Sequence, residues 1–145
     1  MWQRIQTVFM ALVIISLLVS FILPIWKFEN NVLTAFYFLQ ETNYQYFPYV
    51  LTAVLGVAAC TVSFIQIRSF KNRLLQMKLG ALNSLFLTCT IGSAFYFSNS
   101  MMKTFQAGQF GLGLWMPGAA VVFNLLANQF IRRDEKLVRD SDRIR

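Results

Sequence analysis

The chain has 145 residues, of which 57% are hydrophobic and 13% charged, with a formal net charge of +7 and no histidine. Soluble domains carry about 25% charged residues, so this composition points to a membrane chain. The missing histidine excludes imidazole ligation of haem or metal and a histidine general base, and the expectation is a protein with no cofactor, no metal and no enzymatic activity.

A hydrocarbon core of about 30 Å needs about 20 apolar residues in a helix. Four runs without a charged residue meet that length, at about 8–26, 48–67, 79–97 and 112–131. The first follows Arg4 and could be mistaken for a secretory signal. Its apolar stretch exceeds the usual signal length, and Val19-Ser20-Phe21 is a poor cleavage site, so it is read as a retained helix. Trp2 and Gln3 to Gln6 are expected at the inner interface, and Trp26, Tyr46, Tyr49 and Trp115 in an aromatic belt at the outer one. Pro24, Pro48 and Pro117 fall near that same outer surface, where a missing backbone donor matters least.

The loop 27–47 holds the apolar stretch 32–39, too short to span the bilayer. Phe36, Tyr37 and Phe38 are expected to pack on the outer helix ends or sink into headgroups; a docking surface is the alternative. The second span carries Thr52, Gly56 and Cys60 four apart, and the third carries Gly80, Ser84, Thr88 and Gly92 at the same spacing. Helices in lipid associate through close approach at small residues, so these rows are read as packing grooves facing each other or the remaining helices, with another subunit as the alternative. Asn83, Asn124 and Asn128 lie within about two turns of the cytoplasmic side, at similar depth. Interhelical bracing is the main reading of this polar cluster, and a pocket open to the cytoplasm the other. Gly108, Gly111 and Gly113 mark the second outer loop and the start of the last helix.

The tail 132–145 is expected to continue the last span as a helix, through the pairs Glu135/Arg139, Lys136/Asp140 and Asp142/Arg145. Phe130, Leu137, Val138 and Ile144 give it a narrow apolar stripe that wants a partner: the bilayer surface, the inner loop through Phe70, Leu74 and Leu75, or another subunit, the last two being favoured because the tail's charges are of mixed sign. The basic residues set the orientation. All except Lys27 and Lys103 fall at the N-terminus, in 68–78 or in the tail, which places both termini in the cytoplasm. The basic excess is also suited to anionic lipid, while the acidic residues in the tail speak against nucleic acid. The absence of carboxylates from all four spans removes a proton or cation relay. Cys60 and Cys89 belong to no C-x-x-C motif and are read as packing residues. Ser100 with Lys103 is too commonplace a pairing to be read as a catalytic dyad.

The opening Gln3-Arg4-Ile5-Gln6-Thr7, the run Ala127-Asn128-Gln129-Phe130-Ile131-Arg132-Arg133-Asp134-Glu135-Lys136-Leu137-Val138-Arg139 and the ending Asp142-Arg143-Ile144-Arg145 resemble an uncharacterised family of small four-helix membrane proteins from Bacteroidota. The resemblance covers the whole chain and is strongest at its two ends. It implies a multi-pass protein of the bacterial inner membrane and supplies no activity and no catalytic residues. Asp140 and Ile144 depart from the small residue and leucine associated with those positions. The expected architecture is an all-α integral membrane four-helix bundle, 1–131, with a charged cytoplasmic tail, 132–145. Its expected role is a structural or accessory subunit of a membrane protein assembly, in contact with lipid and other subunits. The alternative is a small uncoupled carrier or channel using a neutral path around Asn83, Asn124 and Asn128.

Overall fold

The computed structural model describes residues 2–41, 43–69 and 72–142. Among them are four helices, α1 (Trp2–Ile22), α2 (Val50–Arg68), α3 (Arg73–Phe105) and α4 (Leu112–Asp142), and five short strands. All four helices are long and apolar enough to cross a membrane. In the bundle α1 lies chiefly against α4, α3 packs on both α2 and α4, and a lighter α1–α2 contact closes the ring.

Each helix buries residues spaced alternately four and three apart. On α3 the stripe is Gln76, Gly80, Asn83, Leu87, Thr90, Ala94, Phe97 and Met101. On α2 it is Thr52, Gly56, Ala59, Ser63 and Gln66. On α1 it is Gln6, Met10, Val13, Leu17 and Ser20, and on α4 Gly113, Pro117, Ala120, Asn124, Ala127 and Ile131. This repeat of seven keeps one seam facing neighbouring helices, as in left-handed bundles. Its small and polar members admit close approach and cross-links, which matter in lipid because tails are as apolar as the helix surfaces.

The helix bounds differ from the charge-free runs for local reasons. α1 stops at Ile22, so Trp26 is not part of it. Pro24 has no N–H to continue the helix, and beyond it Ile25 donates to Leu33 O and accepts from Gly111 N, both at 2.8 Å. At the start of α3, the Asn72 side chain caps the helix by accepting from Leu75 N at 3.1 Å. α3 then runs past its apolar stretch to Phe105 and ends at Gln106, which takes a left-handed φ of 50°. α4 continues without a break into the charged segment as far as Asp142.

The expectation of an all-α architecture needs correction at the opposite end of the bundle. The loop 27–47 is a meander of four strands, β1 (Trp26–Phe28), β2 (Asn31–Leu33), β3 (Phe38–Gln40) and β4 (Asn43–Gln45), to which β5 (Gln109–Phe110) adds alongside β1. The sheet is antiparallel throughout, in the order β4-β3-β2-β1-β5. Glu29 and Glu41 take φ near 50° at the tips of two of its turns. The β2–β3 turn is closed by Thr34, whose N–H and hydroxyl both donate to Tyr37 O.

One face of the sheet rests on the projecting end of α3. Trp26, Leu33 and Phe38 pack with Tyr49, Phe97 and Met101, and Phe105 fills in at the edge. Trp26 is therefore fully buried, not part of an interfacial belt. Its ring lies 6.4 Å from that of Phe38 and 5.6 Å from that of Phe105, within the usual range for aromatic pairs.

Just beyond α1 and at the start of α4 the two backbones lie close together. A Cβ on Gly111 would collide with Pro24 O, and one on Gly113 with Leu23 O. Pro117 removes the donor that would otherwise reach Gly113 O, four residues back. Ser20 Oγ supplies it instead, donating to Gly113 O at 2.8 Å.

Gly113→Val is expected to destabilise the bundle by about 1–3 kcal/mol, the usual range for overpacking. Gly92→Ala, where a Cβ meets nothing within 4 Å, is expected to leave stability unchanged or raise it by up to about 1 kcal/mol, the helix-propensity difference. Thermal melts of both variants in detergent check the pair, and equal melting temperatures would refute the close-approach argument.

Candidate functional site

Toward the charged end of the bundle the buried stripes turn polar, and amides from α2, α3 and α4 meet. Asn83 Nδ2 donates to Ser63 Oγ at 2.9 Å and to Asn124 Oδ1 at 3.1 Å, which ties α3 to α2 and α4 at one level. Asn124 Nδ2 returns two bonds to α3, to Gly80 O at 3.1 Å and Ser84 Oγ at 2.8 Å. Ser84 Oγ in turn donates to Gly80 O at 3.0 Å.

A second level lies nearer the charged end. Gln66 Nε2 donates to Gln76 O at 3.3 Å and to Asn128 Oδ1 at 3.2 Å. Gln76 Nε2 reciprocates to Gln66 O at 3.3 Å and lies 3.9 Å from Met10 Sδ on α1. The two levels join at Gly80. A Cβ there would run into the Asn128 amide and come within 2.8 Å of Gln66 Nε2, so only a glycine leaves room for both side chains. Below this, Arg73 holds the start of α3 to the extension of α4: Nη1 donates to Asp134 O at 3.1 Å, and Nη2 lies 3.2 Å from Asp134 Oδ2.

Asn83 and Asn124 are thus directly bonded, while Asn128 belongs to the second level and is held by Gln66. The small-residue rows divide. Thr52 and Gly56 are buried, and a Cβ on Gly56 would sit 2.6 Å from the Phe21 ring on α1. Cys60 is half-buried beside Val13, Leu17, Ala59, Leu87 and Ala120. On α3, Gly80 and Ser84 join the amide belt, whereas Thr88 and Gly92 are exposed. A helix turns about 100° per residue, so steps of four drift about 40° each, and a row begun at Gly80 has left the seam by Thr88.

In the tail stripe, Phe130 stacks on Phe9 with centroids 5.5 Å apart, while Leu137 and Val138 are exposed. Leu74 and Leu75, the proposed inner-loop contacts, are also exposed. Ile144 and Phe70 lie outside the described residues.

Ser63 and Gln66, polar within the second apolar run, and Gln76, just before the third, complete the belt, but as single residues they do not show which partners they meet. Their signal is the alternation of four and three. It places Ser63 and Gln66 on the α2 seam with Gly56, and Gln76 on the α3 seam with Gly80. Three buried side-chain atoms nearby, Gln6 Nε2, Gln66 Oε1 and Asn83 Oδ1, make no hydrogen bond among the described residues. No group of three or more His, Cys, Asp or Glu comes together among those residues to offer a metal site. The chemistry of this site is that of neutral amides and hydroxyls, which donate and accept hydrogen bonds.

A family model matches residues 2–144, nearly the whole chain. The chain belongs to the family described as Domain of unknown function (DUF4293). No curated protein and no solved structure matches it. The match takes in the bundle, the sheet and the helical extension of this DUF4293 chain alike.

The Asn83–Asn124 bond is expected to give a coupling energy of about 0.6 kcal/mol, with about 1.7 kcal/mol as the upper range for such pairs in membrane bundles. A double-mutant cycle of Asn83→Ala and Asn124→Ala, read by reversible unfolding in mixed detergent, measures it. Strictly additive effects would show that the two amides stabilise the fold independently.

Proposed function

We propose that this chain is a structural or accessory subunit of a membrane protein assembly, with no chemistry of its own. In this reading it is a multi-pass protein of the bacterial inner membrane, in organisms of the Bacteroidota, with both termini in the cytoplasm. One observation carries the proposal most. The buried amides of Asn83, Asn124, Gln66 and Gln76 are engaged with one another or with the backbone of a neighbouring helix. Interhelical bracing of this kind builds a rigid body and leaves little for binding or turnover.

The outer surfaces supply the rest of the support. The helical extension beyond Ile131 exposes Leu137 and Val138, and Thr88 and Gly92 are exposed on α3, on surface that faces lipid in this reading. Small residues facing lipid permit a neighbouring helix to approach closely. Carriage of a small neutral solute is the second reading, favoured by the orphaned Gln66 Oε1, Asn83 Oδ1 and Gln6 Nε2 near the charged end.

Mild extraction from the native membrane at endogenous expression, followed by size separation and mass spectrometry, is expected to find partners in fixed ratio. Truncation after Arg133 is expected to release those that bind the tail. A chain that travels alone or only with copies of itself would refute the accessory role. Aqueous labelling of Ser63→Cys from the charged end would then support the carrier. The topology is checked separately with impermeant maleimide, in a Cys60→Ala, Cys89→Ala background. Cysteines at Asn30 and Lys136 are expected to react from opposite sides of the membrane.

A further inference from the structure

The exposed aromatic residues are distributed unevenly over the surface. Tyr44, Tyr46, Phe47, Tyr96, Phe110 and Trp115, with Phe36 and Phe95, lie on the elements that meet between the sheet and the bundle, while Phe64 lies toward the charged end of α2. Those between the sheet and the bundle come from the β2–β3 turn, β4, the turn after it, α3, β5 and the start of α4, so the band is assembled from separate parts of the chain. Phe47, at 88%, is the most exposed of the large hydrophobic side chains described. Tyr44 and Tyr46 stack with centroids 6.4 Å apart, and both rings touch Tyr37.

Helix geometry gives the level of this band. At about 1.5 Å per residue, Tyr96 stands about 27 Å along α3 from Lys78, and Trp115 about 26 Å along α4 from Arg132. On α2, Val50, just after Phe47, stands about 27 Å from Arg68. These three independent lengths agree with one another and come close to a hydrocarbon core of about 30 Å. The surface between the two levels carries no charge on any of the three helices. Beyond the band the polarity returns. Lys103 lies about 10 Å further along α3 than Tyr96, and Lys27, Glu29 and Glu41 are exposed on the sheet itself.

We propose that the β3–β4 edge of the sheet docks into the lipid headgroup layer, with Phe47 reaching the acyl boundary and Tyr44 and Tyr46 among the headgroups. The occupant of this aromatic edge is the bilayer surface. Rings that are apolar on their faces and polar at their tips fit that layer, and a phenylalanine as exposed as Phe47 fits its apolar side. The sheet is then a platform held at the interface, and its charged turns are the part presented to the aqueous compartment. The proposal rests on the reading of the four helices as membrane spans.

Single spin labels at Phe47→Cys, Tyr44→Cys, Asn30→Cys and Gly92→Cys test it, in a Cys60→Ala, Cys89→Ala chain reconstituted in phosphatidylethanolamine–phosphatidylglycerol vesicles. All four positions are on the surface, and the labels are read by relaxation with oxygen, which partitions into lipid, and with a water-soluble nickel chelate. At Phe47 a severalfold excess of oxygen over nickel accessibility is expected, at Tyr44 a smaller excess, and at Asn30 the reverse. Nickel access at Phe47 equal to that at Asn30 would overturn the proposal by placing the edge in water. Protection of Phe47 from both reagents would overturn it by showing a protein cover. Gly92 separates the two levels of failure: if it too is open to nickel, the membrane-spanning reading itself fails.

Discussion

Hydrocarbon cannot solvate an amide, and the arrangement of this bundle follows from that constraint. An unpaired amide at membrane depth is costly, so Asn83, Asn124, Gln66 and Gln76 fix the helices that carry them at the few registers where each can find a partner. Gly80 is where these requirements converge. Its carbonyl accepts from Asn124 and Ser84, and its missing side chain makes room for Asn128 and Gln66. The apolar contacts around it, among Val13, Leu17, Ala59, Leu87 and Ala120, contribute dispersion and close packing. They could tolerate a small slip along the helix axis. The amides could not.

The other end of the bundle satisfies the same constraint with backbone. Pro24 and Pro117 each remove a donor, and in each case the polar groups nearby find partners across the chain. Pro24 O accepts from Gly113 N at 3.1 Å, and Gly113 O accepts from Ser20. Glycine at 111 and 113 is what lets the two backbones come close enough for these bonds. The sheet then grows from the same junction. β1 follows directly on α1, β5 directly precedes α4, and their pairing links the ends of two helices that already lie together.

The two ends therefore differ in how they meet their surroundings. One has a compact sheet resting on the projecting end of α3, with aromatic rings around its base. The other has a continuous helix leaving the bundle, held at its root by Arg73 and Asp134. That ion pair is partly exposed and contributes little stability of its own; it ties the start of α3 to the root of the extension, whose direction is set by the unbroken helix.

The number and approximate position of the helices were legible in the sequence, because length and the exclusion of charge from hydrocarbon are properties of short windows. The asparagines and Gly80 could be singled out for the same reason, since polar and minimal side chains are conspicuous in an apolar run. The sheet could not be read. Its strands are at most three residues long, too short for a clear alternation, and β5 comes from the far side of two helices. Nor did a row of small residues four apart identify the seam of α3: Thr88 and Gly92 look equivalent to Gly80 in sequence but are turned outward. By itself the sequence determined which segments are long and apolar enough to cross a membrane, through local transfer energetics. Only the tertiary structure decided which polar groups pair, which glycines are indispensable and where Trp26 lies, because each depends on atoms brought together from distant parts of the chain.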